Sequence, residues 1–167
     1  MAPPSCGKTH LLHGIVHKMR SSTDLRVKML ISESLKNGLM TSVKDGTTTQ
    51  FWSDLQNIDA LLLDDCQFLI DSTIDILLEL SAIYRDAGKT LILAGDYLLN
   101  NVSTIPNLIV LHLVRPAQAT RRIILQEKLQ EKDLFLEDAL LDLISGIEDP
   151  RRIAGFVAWI SATQDCS

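Results

Sequence analysis

Apolar side chains recur along this chain with two periods. Residues 9–19 carry Leu11, Leu12, Ile15, Val16 and Met19, a spacing that puts one apolar face on a helix. Residues 26–32, RVKMLIS, place Val27, Met29 and Ile31 on one side, and the period of two predicts a strand. Residues 34–43 read as a helix that ends in the turn Asp45-Gly46. Residues 58–63 form a nearly unbroken apolar run stopped by Asp64-Asp65, the pattern of a strand covered on both faces. A helix over 74–85 follows and ends near Gly88. A second buried strand, TLILA at 90–94, closes with Gly95-Asp96, and NLIVLHLV at 107–114 reads as the last strand.

Beyond Pro116 the pattern becomes helical throughout. Residues 117–132, 137–147 and 151–162 read as helices, with turns at Asp133 and Asp149-Pro150. Strands that alternate with helices predict a parallel α/β sheet. The expected organisation is an α/β nucleotide-binding subdomain at 1–115 and a small helical subdomain at 116–167.

Composition narrows the class. The 167 residues are 46% hydrophobic and 22% charged, the balance of a globular protein with a substantial core. No apolar run reaches the roughly 18 residues that a membrane span needs, so no membrane partner is expected. Cys6, Cys66 and Cys166 form no CxxC pair and no zinc spacing, and three scattered thiols are expected of a reducing, cytoplasmic compartment. His10, His13 and His17 interrupt the first apolar stretch, which does not read as a signal peptide. A net charge of −5 argues against a strongly basic duplex binder.

The first chemical signal is SCGKTHLL, residues 5–12. A phosphate-binding loop of the form GxxxxGK[ST] offers backbone N–H groups to phosphate oxygens, a Lys to the terminal phosphates and a hydroxyl to Mg²⁺. Gly7, Lys8 and Thr9 supply its second half. Ala2 stands where the first glycine is expected, and Pro3 and Pro4 offer no N–H. On these residues alone, a phosphate loop and a plain helix N-terminus that begins Gly-Lys-Thr read equally well.

The second signal is LLLDDCQFL at 61–69, an apolar strand that ends in two carboxylates. In that arrangement Asp64 serves the metal ion and Asp65 orients or polarises the attacking water. Seen alone, the pair also reads as a solvated strand end. The order shifts the balance: GKT-helix, strand, helix, Asp-Asp strand, then a strand closing on Asp96 at the place of a phosphate sensor.

GKTHLLHGI, IDALLLDDCQFL and AGKTLILAGD together resemble the AAA+ module of DnaA, the bacterial replication initiator family. The resemblance runs from about residue 6 to about residue 162. It continues through RPAQATRRIILQEKL, similar to the start of the family's helical lid, and IEDPRRIAGFV, similar to the lid helix that carries the second sensor. It implies a P-loop AAA+ fold: a parallel sheet flanked by helices, with a small C-terminal helical lid. It implies ATP or ADP held with Mg²⁺ at Cys6, Gly7, Lys8, Thr9 and His10. Thr9 and Asp64 would hold the metal, Asp65 and Asp96 would be catalytic, and Arg152, with Arg151 next to it as the second candidate, would sense phosphate. It implies a role in initiation of chromosomal replication or its control, with ATP as a switch and slow hydrolysis. Partners would be a full-length initiator or a helicase, and single-stranded DNA within an assembly.

The chain also departs from that family. The strand before the loop is not expected here. Residues 97–114 contain no arginine, so a finger reaching a neighbouring subunit is not expected from that stretch. Only fifteen residues follow Arg152, so no duplex-reading domain is expected. Two rivals stay open on the residues: an adaptor with an inactive site that binds an initiator or helicase, and a helicase-loader type of AAA+ protein. His10, His13 and His17 read as solvated rather than metal-binding, Cys66 as a buried structural thiol, and Trp52 and Trp159 as core or interface residues.

Overall fold

The computed structural model describes residues 5–68, 71–96 and 105–164. It divides into two compact units: Gly7 to Leu113, and Ser5–Cys6 together with the chain from Val114 onward.

In the first unit, helix α1 (Lys8–Ser22) leads to strand β1 (Val27–Ile31), and helices α2 (Ser32–Lys44) and α3 (Thr48–Gln56) lead to β2 (Ala60–Asp64). A 3₁₀ turn at Cys66–Phe68 and helix α4 (Asp71–Asp86) then lead to β3 (Thr90–Leu93). The strands form a parallel sheet in the order β1-β2-β3, with Val27 opposite Ala60 and Ala60 opposite Thr90. The expected parallel α/β sheet is present.

Alternation along the strands sorts the helices. Leu61 and Leu63 point to one face and pack with Leu35 of α2, Leu55 of α3, and Leu77, Leu80 and Tyr84 of α4. Ala60 and Leu62 point to the other face and pack with Leu12 and Val16 of α1, joined by Val27 and Ala94. Every residue of β2 is buried, which explains its apolar run up to Asp64. Two polar contacts tie these elements together. Arg26 donates to the Asp59 carboxylate through its backbone N and its guanidinium, each at 2.9 Å, and this holds the Asp59 carboxyl well below the usual carboxylate range. The Tyr84 hydroxyl donates to the Leu55 carbonyl at 2.8 Å.

Two sequence expectations change. Helix α3 was not expected; its apolar positions Phe51, Trp52 and Leu55 occupy little more than one turn, too short a stretch to show a period. Phe51 and Trp52 meet each other edge to face, with ring centroids 5.9 Å apart, and both pack against the core beneath them. The last expected strand, 107–114, is not one: residues 108–114 are neither strand nor helix. Ile109 and Leu111 are 81% and 67% exposed. A strand exists only by pairing with another, and apolar character alone does not supply the partner. Residues 97–104 and Ala2, on which other expectations fall, lie outside the described residues.

The second unit holds α5 (Gln118–Gln130), α6 (Asp138–Ser145) and α7 (Pro150–Gln164). Leu125 and Leu129 of α5 pack with Leu141 and Ile144 of α6 and with Ile153 and Val157 of α7. The Arg121 guanidinium donates to the carbonyls of Pro116 and Ser145, which ties the α5 start to the α6 end. Asp149-Pro150, expected as a turn, starts α7: the Asp149 carboxylate accepts from the Arg151 N–H at 2.9 Å, and Pro150 fills the first helical position.

Candidate functional site

The carboxyl ends of β2 and β3 and the start of α1 meet at one end of the sheet. Gly7 precedes α1 with φ of 83°, a left-handed conformation that glycine adopts without a Cβ clash. From there the first turn of α1 aims Lys8 and Thr9 at the strand ends. The Lys8 Nζ lies 2.6 Å from Asp96 Oδ1, and the Thr9 hydroxyl donates to Asp64 Oδ2, also at 2.6 Å. Lys8 and Asp64 are buried, whereas Asp96 keeps part of its surface open to water.

Asp65 follows with φ of 55°, a left-handed value in a residue other than glycine. This bend turns the chain off the strand and places the carboxylates of Asp64 and Asp65 differently. Asp64 Oδ1 accepts from the Asp65 N–H at 2.9 Å, which leaves Oδ2 to Thr9. The Ser32 hydroxyl donates to the Asp65 carbonyl at 2.8 Å and pins the bend from the first residue of α2. Gln67 completes the arrangement. Its amide N donates to Asp65 Oδ1 at 3.1 Å, and its amide O accepts from the Asp96 N–H at 3.2 Å. Sequence reasoning assigned Gln67 no role, because a glutamine two residues after an acidic pair carries no periodic signal. Cys66 is buried, and burial pushes its thiol up to about 12.

Five expected site residues therefore converge in this unit: Lys8, Thr9, Asp64, Asp65 and Asp96. Gly7 shapes the approach. His10 is exposed on α1, as are His13 and His17. Cys6 and Arg152 belong to the second unit. There Arg152 lines a cavity of about 330 Å³ with Ser5, Arg115, Ile147, Glu148 and Asp149. Arg115 pairs with Glu148 at 3.1 Å. The Asp149 carboxyl is lowered, chiefly by the Arg151 N–H and next by the Ser5 hydroxyl.

The donor set suits Mg²⁺. That ion takes one or two protein oxygens and fills its shell with water and substrate phosphate. The Thr9 hydroxyl and Asp64 carboxylate offer two adjacent hard oxygens. No cluster of three or more His, Cys, Asp or Glu side chains exists among the described residues, so an all-protein cage is not built there. Also among the described residues, no helix is long and apolar enough to cross a membrane.

The comparisons with known proteins agree on one family. A family model of the bacterial DnaA ATPase domain matches residues 2–116. The chromosomal replication initiator protein DnaA of Enterococcus faecalis is 30% identical over 93% of this chain and 38% of its own length. The chain thus spans well under half of such curated relatives. Among solved structures, domain III of the Thermotoga maritima replication initiation protein DnaA superposes with a TM-score of 0.86 at 27% identity, over 99% of this chain and 75% of that one. AMPPCP-bound DnaA from Aquifex aeolicus gives 0.84 at 26% identity, over 95% of this chain and 52% of that one. A DnaC helicase loader shares the fold at a TM-score of 0.52. The family model over residues 2–116, together with these matches, places the chain in the DnaA ATPase-domain family.

Proposed function

We propose that this chain binds ATP with Mg²⁺ at the sheet end and acts as a nucleotide-controlled module in initiation of chromosomal replication or its regulation. The observation that carries the reading is the convergence of Lys8, Thr9, Asp64 and Asp96 from three separate chain segments. Solved relatives support it: one DnaA structure holds AMPPCP, and another holds AMPPCP and single-stranded DNA.

The roles follow from the atoms. Lys8 would face the terminal phosphates, exchanging Asp96 for them. Thr9 Oγ1 and Asp64 Oδ2 would hold Mg²⁺, which supplies neutralisation of phosphate charge when bound. Asp65, held by Gln67, would orient water, and Asp96 would stand at the position of the phosphate sensor. Cys6, Gly7 and His10 would border the phosphates, and Arg152 would offer forked donors from a lid over 116–167, with 1–115 as the nucleotide-binding part. Binding would act mainly as a switch with slow hydrolysis. Partners would be an initiator or helicase in the cytoplasm, and single-stranded DNA within an assembly.

The test is titration of a fluorescent ATP analogue with Mg²⁺ against the wild type and Lys8→Ala. The reading predicts micromolar binding that Lys8→Ala abolishes. Binding that survives Lys8→Ala unchanged overturns the site assigned here, and none in a folded sample removes the nucleotide role and leaves an adaptor.

A further inference from the structure

Gln67 sits in the middle of the 3₁₀ turn Cys66–Phe68, and its side chain is half-buried. Backbone bonds fix the turn that carries it. The Cys66 N–H donates to the Ala94 carbonyl just past β3 at 2.9 Å, and the Phe68 N–H donates to the Asp65 carbonyl at 3.1 Å. The turn therefore hangs between the ends of β2 and β3. Its middle side chain bonds to both: the amide N donates to Asp65 Oδ1 at 3.1 Å, and the amide O accepts from the Asp96 N–H at 3.2 Å. An ionised carboxylate only accepts and a backbone N–H only donates, so one orientation of the amide satisfies both. A glutamate there could serve Asp96 but would set a second carboxylate against Asp65. An apolar residue could serve neither.

Asp65 is a residue that needs such a partner. Its φ of 55° is uncommon for a side chain with a Cβ, and such conformations persist where the surroundings over-determine them. The Asp65 N–H is held by Asp64 Oδ1 and its carbonyl by the Ser32 hydroxyl. Those bonds fix the backbone of the bend. Gln67 acts on the carboxylate itself, and a donor on one oxygen restricts the side-chain torsions that aim the other.

We propose that Gln67 is a positioning residue for ATP hydrolysis: it clamps Asp65 Oδ1 so that Oδ2 meets the attacking water, and it ties that carboxylate to the backbone of Asp96. This rests on the nucleotide role proposed above and adds to it a separation of turnover from binding. In the reaction the water oxygen bonds to the γ-phosphorus, and the bond from that phosphorus to the ADP oxygen breaks with its electron pair. One water proton stays on the released phosphate, and the other leaves through Asp65 Oδ2 to solvent. Lys8, Thr9 and Asp64 are positioned by the Lys8–Asp96 and Thr9–Asp64 contacts, so loosening Asp65 leaves nucleotide affinity in place.

Single-turnover hydrolysis of ATP with Mg²⁺ by the full chain, beside titration of the fluorescent analogue, tests this in Gln67→Glu and Gln67→Ala. Gln67→Glu keeps the acceptor for the Asp96 N–H and removes the donor to Asp65, whereas Gln67→Ala removes both. Circular dichroism checks the fold of each. Both variants should bind within about threefold of wild type and hydrolyse at least about tenfold more slowly, because misplacing a reacting group by about 1 Å costs up to about a hundredfold. Gln50→Glu, at an exposed glutamine that donates to Asp54 on α3, leaves both quantities unchanged. In an Asp65→Asn background, Gln67→Ala should slow hydrolysis no further, since the group it acts through is already disabled. Unchanged turnover in the Gln67 variants, affinity that falls as far as turnover, or equal slowing with and without Asp65 overturns the proposal. A wild type that binds ATP without hydrolysing it overturns it too and leaves the nucleotide reading standing. A wild type that binds none removes that reading, and this inference with it.

Discussion

Replacing Asp96 with Asn keeps the shape of the side chain and removes the charge that Lys8 faces. The two groups lie 2.6 Å apart. At an effective dielectric of about 20, Coulomb's law gives about 6 kcal/mol for such a pair. That figure is gross. Asp96 is 27% exposed, so water screens it, and both groups lost hydration when they met. The net effect therefore falls between the ~0–1 kcal/mol of an exposed pair and the ~3–5 kcal/mol for breaking a buried one, at about 1–2 kcal/mol. Two consequences share this origin. Without nucleotide, Asp96→Asn leaves Lys8, which is 9% exposed, short of its counter-charge, and the melting temperature falls by about 2–8 °C. On the proposed nucleotide role, Lys8 would no longer have to leave a carboxylate before meeting phosphate, so affinity for ATP with Mg²⁺ should rise by about 5–30-fold. Differential scanning calorimetry and titration calorimetry read the two effects on the same samples. In a Lys8→Ala background the substitution should change melting little, since the partner is gone. An Asp96→Asn protein that melts at the wild-type temperature, or binds nucleotide more weakly, refutes the reasoning.

Other predictions follow from packing and titration. Leu62→Ala, at a fully buried position of β2, should cost about 2–5 kcal/mol, read by urea unfolding. Burial raises Cys66 from an ordinary 9.0 to about 12 and Tyr84 from 10.0 to about 12. Both stay neutral in the folded chain, so their contribution to stability is whole below pH 9 and is lost as the pH rises from 9 to 12. Unfolding midpoints should accordingly fall across that window. For the same reason Cys66 should resist a thiol reagent at pH 8 until the chain unfolds, while half-exposed Cys6 reacts in the native state. Asp149→Ala removes the acceptor for the Arg151 N–H and should lower the melting temperature, an effect that Asp149→Ser partly restores.

Much of the fold was legible in the chain because side-chain period is a local property. The runs at 58–63 and 90–94 became β2 and β3, and the 9–19 pattern became α1, since a helix face or strand alternation shows within a few residues. The candidate Gly7-Lys8-Thr9 loop and the Asp64-Asp65 strand end were legible for a related reason: the chemistry proposed for them needs particular residue types at short, set spacings. The sequence by itself thus determined most of the helices and the three strands, and it singled out the candidate side chains for phosphate and metal. Tertiary structure decided what depends on residues far apart along the chain. Lys8 and Asp96 are 88 positions apart, and Thr9 and Asp64 are 55 apart. No local pattern records that Lys8 meets Asp96, that Thr9 meets Asp64, or that Gln67 spans from Asp65 to Asp96. Residues 108–113 show the same division from the other side. Their composition is that of a strand, but strand formation needs a paired neighbour, and among the described residues no strand ladder includes them.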